Sequence, residues 1–269
     1  MQNNIQFNSS AVRAGDCISQ GWAYISSNYG LYIGMTAVLG LIVIAVGLIP
    51  FIGSIINQFL LEVLICGMFI AILANSRNEN AEFSMLFEGF SFFGSCALLK
   101  LIELIPTLIL SAILYGFMYA VGMFNFDPQL NSSGQIDFSP FGNSAMMIPF
   151  FILYLLILLV WVIIKVLLIF ALPLIADRNL GAVEAISLSV KAAMNNLGGL
   201  ILLVILELLL FLGGFLVLCI GLIFTVPIIF AAEIAAYKAV FPDNHSMFNN
   251  EPPRPDQYGG NFGTPQNFQ

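Results

Sequence analysis

The chain has 269 residues, 59% of them hydrophobic and only 9% charged, with a mean hydropathy of +0.96 and a formal net charge of −7. A soluble globular domain carries about 25% charged residues, so this composition excludes one and implies an integral membrane protein. The acidic balance argues against nucleic acid as a partner and against a polybasic grip on anionic lipid; the expected partner is the bilayer, with a membrane-protein partner and the oligomeric state left open.

In chain order, residues 1–10 form a short polar tail, with no basic start, compact apolar centre or cleavage site of a signal peptide before the first apolar run. Residues 11–29 read as an amphipathic helix whose apolar stripe is Ala14, Ile18, Trp22, Ile25 and Tyr29. Apolar runs of roughly 20 residues, enough to cross a hydrocarbon core, then follow. Span 1 covers about 31–49, Pro50 and Gly53 mark a tight turn, and span 2 covers about 55–73. Gly30 and Gly34 make a GxxxG pattern at the start of span 1, a weak signal of close helix packing.

Phe83, Leu86, Phe87 and Phe90 follow helical spacing and predict a second surface helix, whose phenylalanine-rich face invites comparison with membrane-sensing helices but serves more simply as an elbow into span 3, about 93–121. Pro106 is a candidate kink within that span. Residues 122–147 form the one sizeable loop, in which Asp127 and Asp137 offer a cation site outside the membrane as one interpretation and parts of a solvated connection as the favoured one. Span 4 covers about 148–172.

A third amphipathic run has the stripe Ala182, Ile186, Val190, Ala193 and Leu197, each 168 residues after its counterpart in the first run. Ser19 and Ser187, Asn28 and Asn196, and Gly30 and Gly198 are identical at the same shift. Spans 5 and 6 follow, with a turn between Gly213 and Pro227; the later position is expected, because GLIFTVP resembles the GLIPFIG turn between spans 1 and 2. The Pro-, Gly- and Asn-rich residues 242–269 have the composition of a disordered tail.

The fold expected is an all-α integral membrane protein: six transmembrane helices as three amphipathic-helix-plus-hairpin units (about 11–73, 82–172 and 182–241) in one membrane domain, 11–241. Units that all start on one side would be related by an axis along the membrane normal. Arg13, Arg77, Arg178, Lys191, Lys238 and Arg254 all fall at one set of connections and termini, so the positive-inside rule puts both termini in the cytoplasm.

Ionisable groups inside spans are the candidate functional residues, since even lenient scales charge about 2.5–3.5 kcal/mol for a central charge. They are Glu62, Lys100, Glu103, Lys165, Glu207 and Glu233. At about 1.5 Å per residue from the basic ends, Glu62, Glu103, Lys165, Glu207 and Glu233 lie roughly 12–18 Å deep on five different helices. One interpretation is a polar centre that binds or relays a cation or proton, with Asn57 and Gln58 further up span 2. The other, which is favoured, is that Lys100 pairs with Glu103, both lysines snorkel, and the remaining glutamates tie helices together as neutral hydrogen-bonding groups.

Catalytic, cofactor and metal motifs are lacking. The single histidine, His245, is in the tail, and no HExxH, GxSxG, P-loop or paired CxxC occurs. Cys17, Cys66, Cys96 and Cys219 have no paired spacing and are expected to pack as small hydrophobes.

The segment ALPLIADRNLGAVEAISLSVKAAMNNLG, the pieces IGLIFTVPI, AAYKAVF and FSMLFEGF, and the pair Gly21–Trp22 resemble uncharacterised multi-pass bacterial membrane proteins related to the membrane domain of glycerophosphoryl diester phosphodiesterases. Over residues 11–241 this resemblance implies a six-helix protein of the bacterial inner membrane without the phosphodiesterase catalytic domain. The expected function is that of a non-enzymatic scaffold or accessory subunit in envelope or lipid-related processes, the alternative being a small transporter or an ion or proton path through the glutamates.

Overall fold

The computed structural model describes residues 7–50, 52–120, 129–130, 136–137, 144–217 and 220–242. Among them, in order, are α1 (Ala14–Ser26), α2 (Tyr29–Gly47), α3 (Ile52–Ser76), α4 (Met85–Glu88), α5 (Phe93–Ala120), α6 (Ser144–Leu168), α7 (Ala171–Arg178), α8 (Ala182–Met194), α9 (Leu197–Leu216) and α10 (Leu222–Val240). Two two-residue strands, Gln129–Leu130 and Ile136–Asp137, pair antiparallel in the loop after α5. Six helical segments are long and apolar enough to cross a membrane: α2, α3, α4 through α5, α6 through α7, α9 and α10. The chain is an all-α multi-pass membrane protein.

The three units close into a ring through their small residues. Gly21 of α1 lies against α10, where an added Cβ would come within 2.6 Å of the Ala231 carbonyl carbon and the Ala232 nitrogen. Gly89, after α4, lies against α3, where a Cβ would stand 2.0 Å from the Val63 carbonyl oxygen. In α8 the matching place belongs to Ser189, whose hydroxyl donates to the Leu167 carbonyl at 2.8 Å and accepts from the Phe170 amide at 3.2 Å. Each unit's entry segment thus docks on the last span of the unit before it, and unit one closes onto unit three. Gly21 and Ser189 are 168 residues apart, as are Val63, which meets Gly89, and Ala231, which meets Gly21. Without a hydrophobic driving force between helices in lipid, close backbone approach at small residues carries the association.

This rule corrects the predicted stripes. In α1 the buried residues are Ala14, Cys17, Gly21 and Ile25, whereas Trp22 is exposed and Ile18 only partly buried. In α8 they are Ala182, Ala185, Ser189, Ala192 and Ala193, with Leu197 exposed. Ala14 and Ile25, and Ala182 and Ala193, are buried as expected. Between them Cys17 and Gly21, and Ala185 and Ser189, take the interface one position before the expected Ile18 and Trp22, and Ile186 and Val190. The second surface helix is shorter than expected: α4 has four residues and passes through a 3-10 turn, Gly89–Phe92, into α5. Of its stripe only Leu86 is buried; Phe83, Phe87 and Phe90 are exposed. The GxxxG pattern makes no close contact, since a Cβ at Gly30 meets nothing within 4 Å and one at Gly34 meets only the Phe83 ring at 3.9 Å.

The hairpin tips repeat as well. Gly53 donates its N–H to the Ile49 carbonyl at 3.0 Å, and Gly221 donates to the Val217 carbonyl at 3.2 Å, the same bond 168 residues later. With α9 ending at Leu216 and α10 beginning at Leu222, the chain turns earlier than the expected position near Pro227, which lies inside α10. Span 4 breaks after Leu168 and resumes as α7. Pro173 accounts for the break, because its ring clashes with the carbonyl four residues earlier and it has no N–H to donate. Ser189 then satisfies the Phe170 amide at the break.

The N-terminal residues 7–10 are tied down: the Asn8 amide donates to the Val240 carbonyl at 2.8 Å, and the Asn196 side chain holds the backbone of Asn8 and Ala11. Residues 243–269, residues 1–6, and most of the loop 122–147 with Asp127 lie outside the described residues.

Candidate functional site

The last spans of the three units meet at the end that carries the basic connections. There Asp177, with 2% of its side chain exposed, pairs with Arg77 and accepts a 2.6 Å hydrogen bond from the Tyr237 hydroxyl. Arg178 donates to that hydroxyl and to the Pro242 carbonyl, both at 3.3 Å, and Lys238 donates to the Ser76 carbonyl at 3.2 Å. Every unit contributes to this network, which closes the bundle at that end.

Further along the spans the packing opens. A cavity of about 350 Å³ is lined by Glu62 and Phe69 from α3, Glu103 from α5, Trp161 and Lys165 from α6, Glu207 and Phe211 from α9, and Phe230 and Glu233 from α10. All five residues predicted as a polar cluster, Glu62, Glu103, Lys165, Glu207 and Glu233, are on its wall. Glu62 and Glu207 are 8% exposed and form its floor, whereas Trp161, Leu208, Phe211 and Lys165 are exposed at its rim.

The cluster divides into two parts. Lys100 Nζ stands 3.3 Å from Glu62 Oε2 and 3.2 Å from Glu103 Oε2, so it ties α3 to α5 and completes the expected Lys100–Glu103 pair with a second carboxylate. Glu207 and Glu233 have no cation within 4 Å among the described residues, and Lys165 has no carboxylate within 4 Å. Glu207 Oε1 is buried without a hydrogen-bond partner. A buried polar atom without a partner costs about 1–3 kcal/mol, more when charged, so its retention calls for an occupant or a function. Four carboxylates and two ammonium groups leave a formal excess of two negative charges.

The carboxylates also break the internal repeat. At the 168-residue shift Glu207 corresponds to Leu39, Glu62 to Phe230, and Glu233 to Ile65. They are therefore not part of the scheme that packs the three units.

Asn57 and Gln58 are not on the cavity wall. Asn57 donates to the Val43 carbonyl at 2.9 Å and fastens the first hairpin, and Gln58 is exposed. The aromatic lining was not anticipated from sequence. Phe69, Phe211 and Phe230 are anonymous in apolar runs, but Trp161 carried a signal: tryptophan prefers the membrane interfaces, and this one sits deep within a span. Cys17, Cys66 and Cys96 are buried free thiols, and burial pushes the Cys17 thiol up; Cys219 and His245 lie outside the described residues. No family model, curated protein or solved structure matches the chain.

Proposed function

We propose that the chain binds a cation in the cavity between its three units and carries it through the bilayer, as a small transporter or ion path. The observation that carries this reading is the buried Glu207 carboxylate, with an oxygen that has no partner, in a cavity that Glu233 also lines and whose wall carries four carboxylates and one ammonium group. An intramembrane carboxylate is expensive and is a functional candidate by default. In this reading Glu207 and Glu233 receive the cation, Lys165 at the rim competes for them when the site is empty, and the Lys100 tie holds α3 and α5 in place. The protein resides in the bacterial cytoplasmic membrane with both termini inside, a placement supported by the basic residues gathered at one set of connections. It belongs, on the segments quoted above, near the multi-pass proteins related to phosphodiesterase membrane domains, and it acts without making or breaking covalent bonds.

The test is flux in liposomes reconstituted with the whole chain, read by an entrapped pH or cation dye. Wild type should exceed empty liposomes, and Glu207→Gln and Glu233→Gln should each return flux to the empty level. A wild type no faster than empty liposomes overturns the reading.

A second reading, a scaffold or accessory subunit, draws support from the Lys100 tie and the Asp177 network, which fix the bundle without any ligand. It expects a partner that copurifies in mild detergent and is retained by both glutamine variants.

A further inference from the structure

The size and lining of the cavity go beyond a charge deficit. A site for a single water needs only about 10–15 Å³, and pockets for organic ligands run from about 300 to 1,000 Å³. The cavity here holds about 350 Å³, which far exceeds the need of a proton or a bare metal ion. No group of three or more His, Cys, Asp or Glu residues close enough to hold a metal occurs among the described residues. The carboxylates are spread over the wall instead, with four aromatic side chains, Phe69, Trp161, Phe211 and Phe230, interleaved among them. Aromatic faces attract cations whose charge is shielded by carbon, and they do so best where water is excluded.

We propose, on the basis of the cation-binding reading above, that the cavity takes a lipophilic organic cation, singly charged, with its charged centre against Glu207 and Glu233 and its apolar arms against the aromatic wall. Glu207 supplies the decisive contact: it is 8% exposed and has an oxygen that accepts no hydrogen bond. The rim residues Trp161, Leu208 and Phe211 are exposed on spans that face lipid, so a ligand dissolved in the bilayer reaches the cavity sideways. A second cavity of about 180 Å³, lined by Thr107, Ser111, Tyr154 and again Trp161, lies between α5 and α6. Trp161 thus stands in the wall of both spaces.

The experiment is equilibrium dialysis of the full chain in mild detergent against radiolabelled tetraphenylphosphonium, with the isosteric anion tetraphenylborate as comparison. Wild type should bind about one cation per chain saturably and no anion above empty micelles. Glu207→Gln and Glu233→Gln should each weaken cation binding about tenfold or more, as expected when a buried charge loses its counter-charge. Glu207→Asp should restore part of it, and Glu82→Gln, exposed and remote, should leave it unchanged. Each variant must elute as a monodisperse peak like wild type, and Glu233→Gln serves if Glu207→Gln does not.

Equal binding of cation and anion, or cation binding untouched by the glutamine variants, overturns the inference as mere partition into the apolar wall. No saturable cation binding while Glu207-dependent flux persists in liposomes also overturns it but leaves the cation-path reading standing. Loss of both removes both.

Discussion

Asp177 and Glu207 are both buried carboxylates of the same bundle, and their surroundings are opposite. Asp177 meets Arg77, Arg178 and the Tyr237 hydroxyl. Glu207 looks into a cavity and leaves an oxygen without a partner. Around Asp177 the units are drawn together by charge pairs and hydrogen bonds; around Glu207 they leave a space lined by aromatic side chains. A bundle closed firmly at one end, and tied by Lys100 along one side of the cavity, tolerates a loosely filled, charged space beside Glu207.

The largest effect should come from the glycine contacts. A Cβ at Gly67 would sit 2.0 Å from the Leu86 carbonyl oxygen, so Gly67→Val must push α4 off α3; a loss of about 3 kcal/mol or more is expected, read as reduced membrane abundance and a lower midpoint in a detergent unfolding titration. Next is Asp177→Asn, which leaves Arg77 and Arg178 beside one another without their carboxylate. Removing one member of a buried charge network costs about 3–5 kcal/mol, and the exposed side of Arg77 should keep this change at the lower end, about 3 kcal/mol.

Glu207→Gln should behave in the opposite sense. Neutralising a carboxylate that has no partner relieves a burial cost, so its unfolding midpoint should equal or exceed that of wild type while flux falls to the empty-liposome level. A Glu207→Gln chain as unstable as Asp177→Asn would make the two carboxylates alike and remove the contrast. The smallest effect concerns Cys17, whose thiol is raised above its ordinary range chiefly by burial. It should stay protonated at neutral pH and react with maleimide about tenfold more slowly than an exposed cysteine. A raised thiol favours the folded state below the ordinary thiol value of about 8.5, and this contribution disappears as pH rises above it through the raised value. Stability should therefore decline at alkaline pH in wild type and not in Cys17→Ala; equal alkaline loss in both would assign it elsewhere.

How much of this was legible depends on what each residue costs. Intramembrane charges are so expensive that their presence alone marks them, and helical rise from the basic ends put Glu62, Glu103, Lys165, Glu207 and Glu233 at one level; the structure has all five on one wall. Packing faces were harder to read. Ile18 and Trp22 looked like the buried stripe of α1 by the logic of water, yet in lipid the bulky side chains are at ease outside and Cys17 and Gly21 take the interface. In the last hairpin the local likeness around Pro227 points too far along the chain, whereas the 168-residue shift makes Gly221 the counterpart of Gly53.

By itself the sequence determined that the chain is a multi-pass helical membrane protein, that it has six spans, and which ionisable groups lie within them. These follow from hydropathy, helical rise and the cost of charge in hydrocarbon, each a local property. Only the tertiary structure decided that Lys100 takes both Glu62 and Glu103, that Glu207 is left without a partner, and that Trp161 joins the phenylalanines around it. Those outcomes depend on the rotation of each helix about its own axis, which is set by small-residue contacts between units far apart in the chain and leaves no mark in any single span.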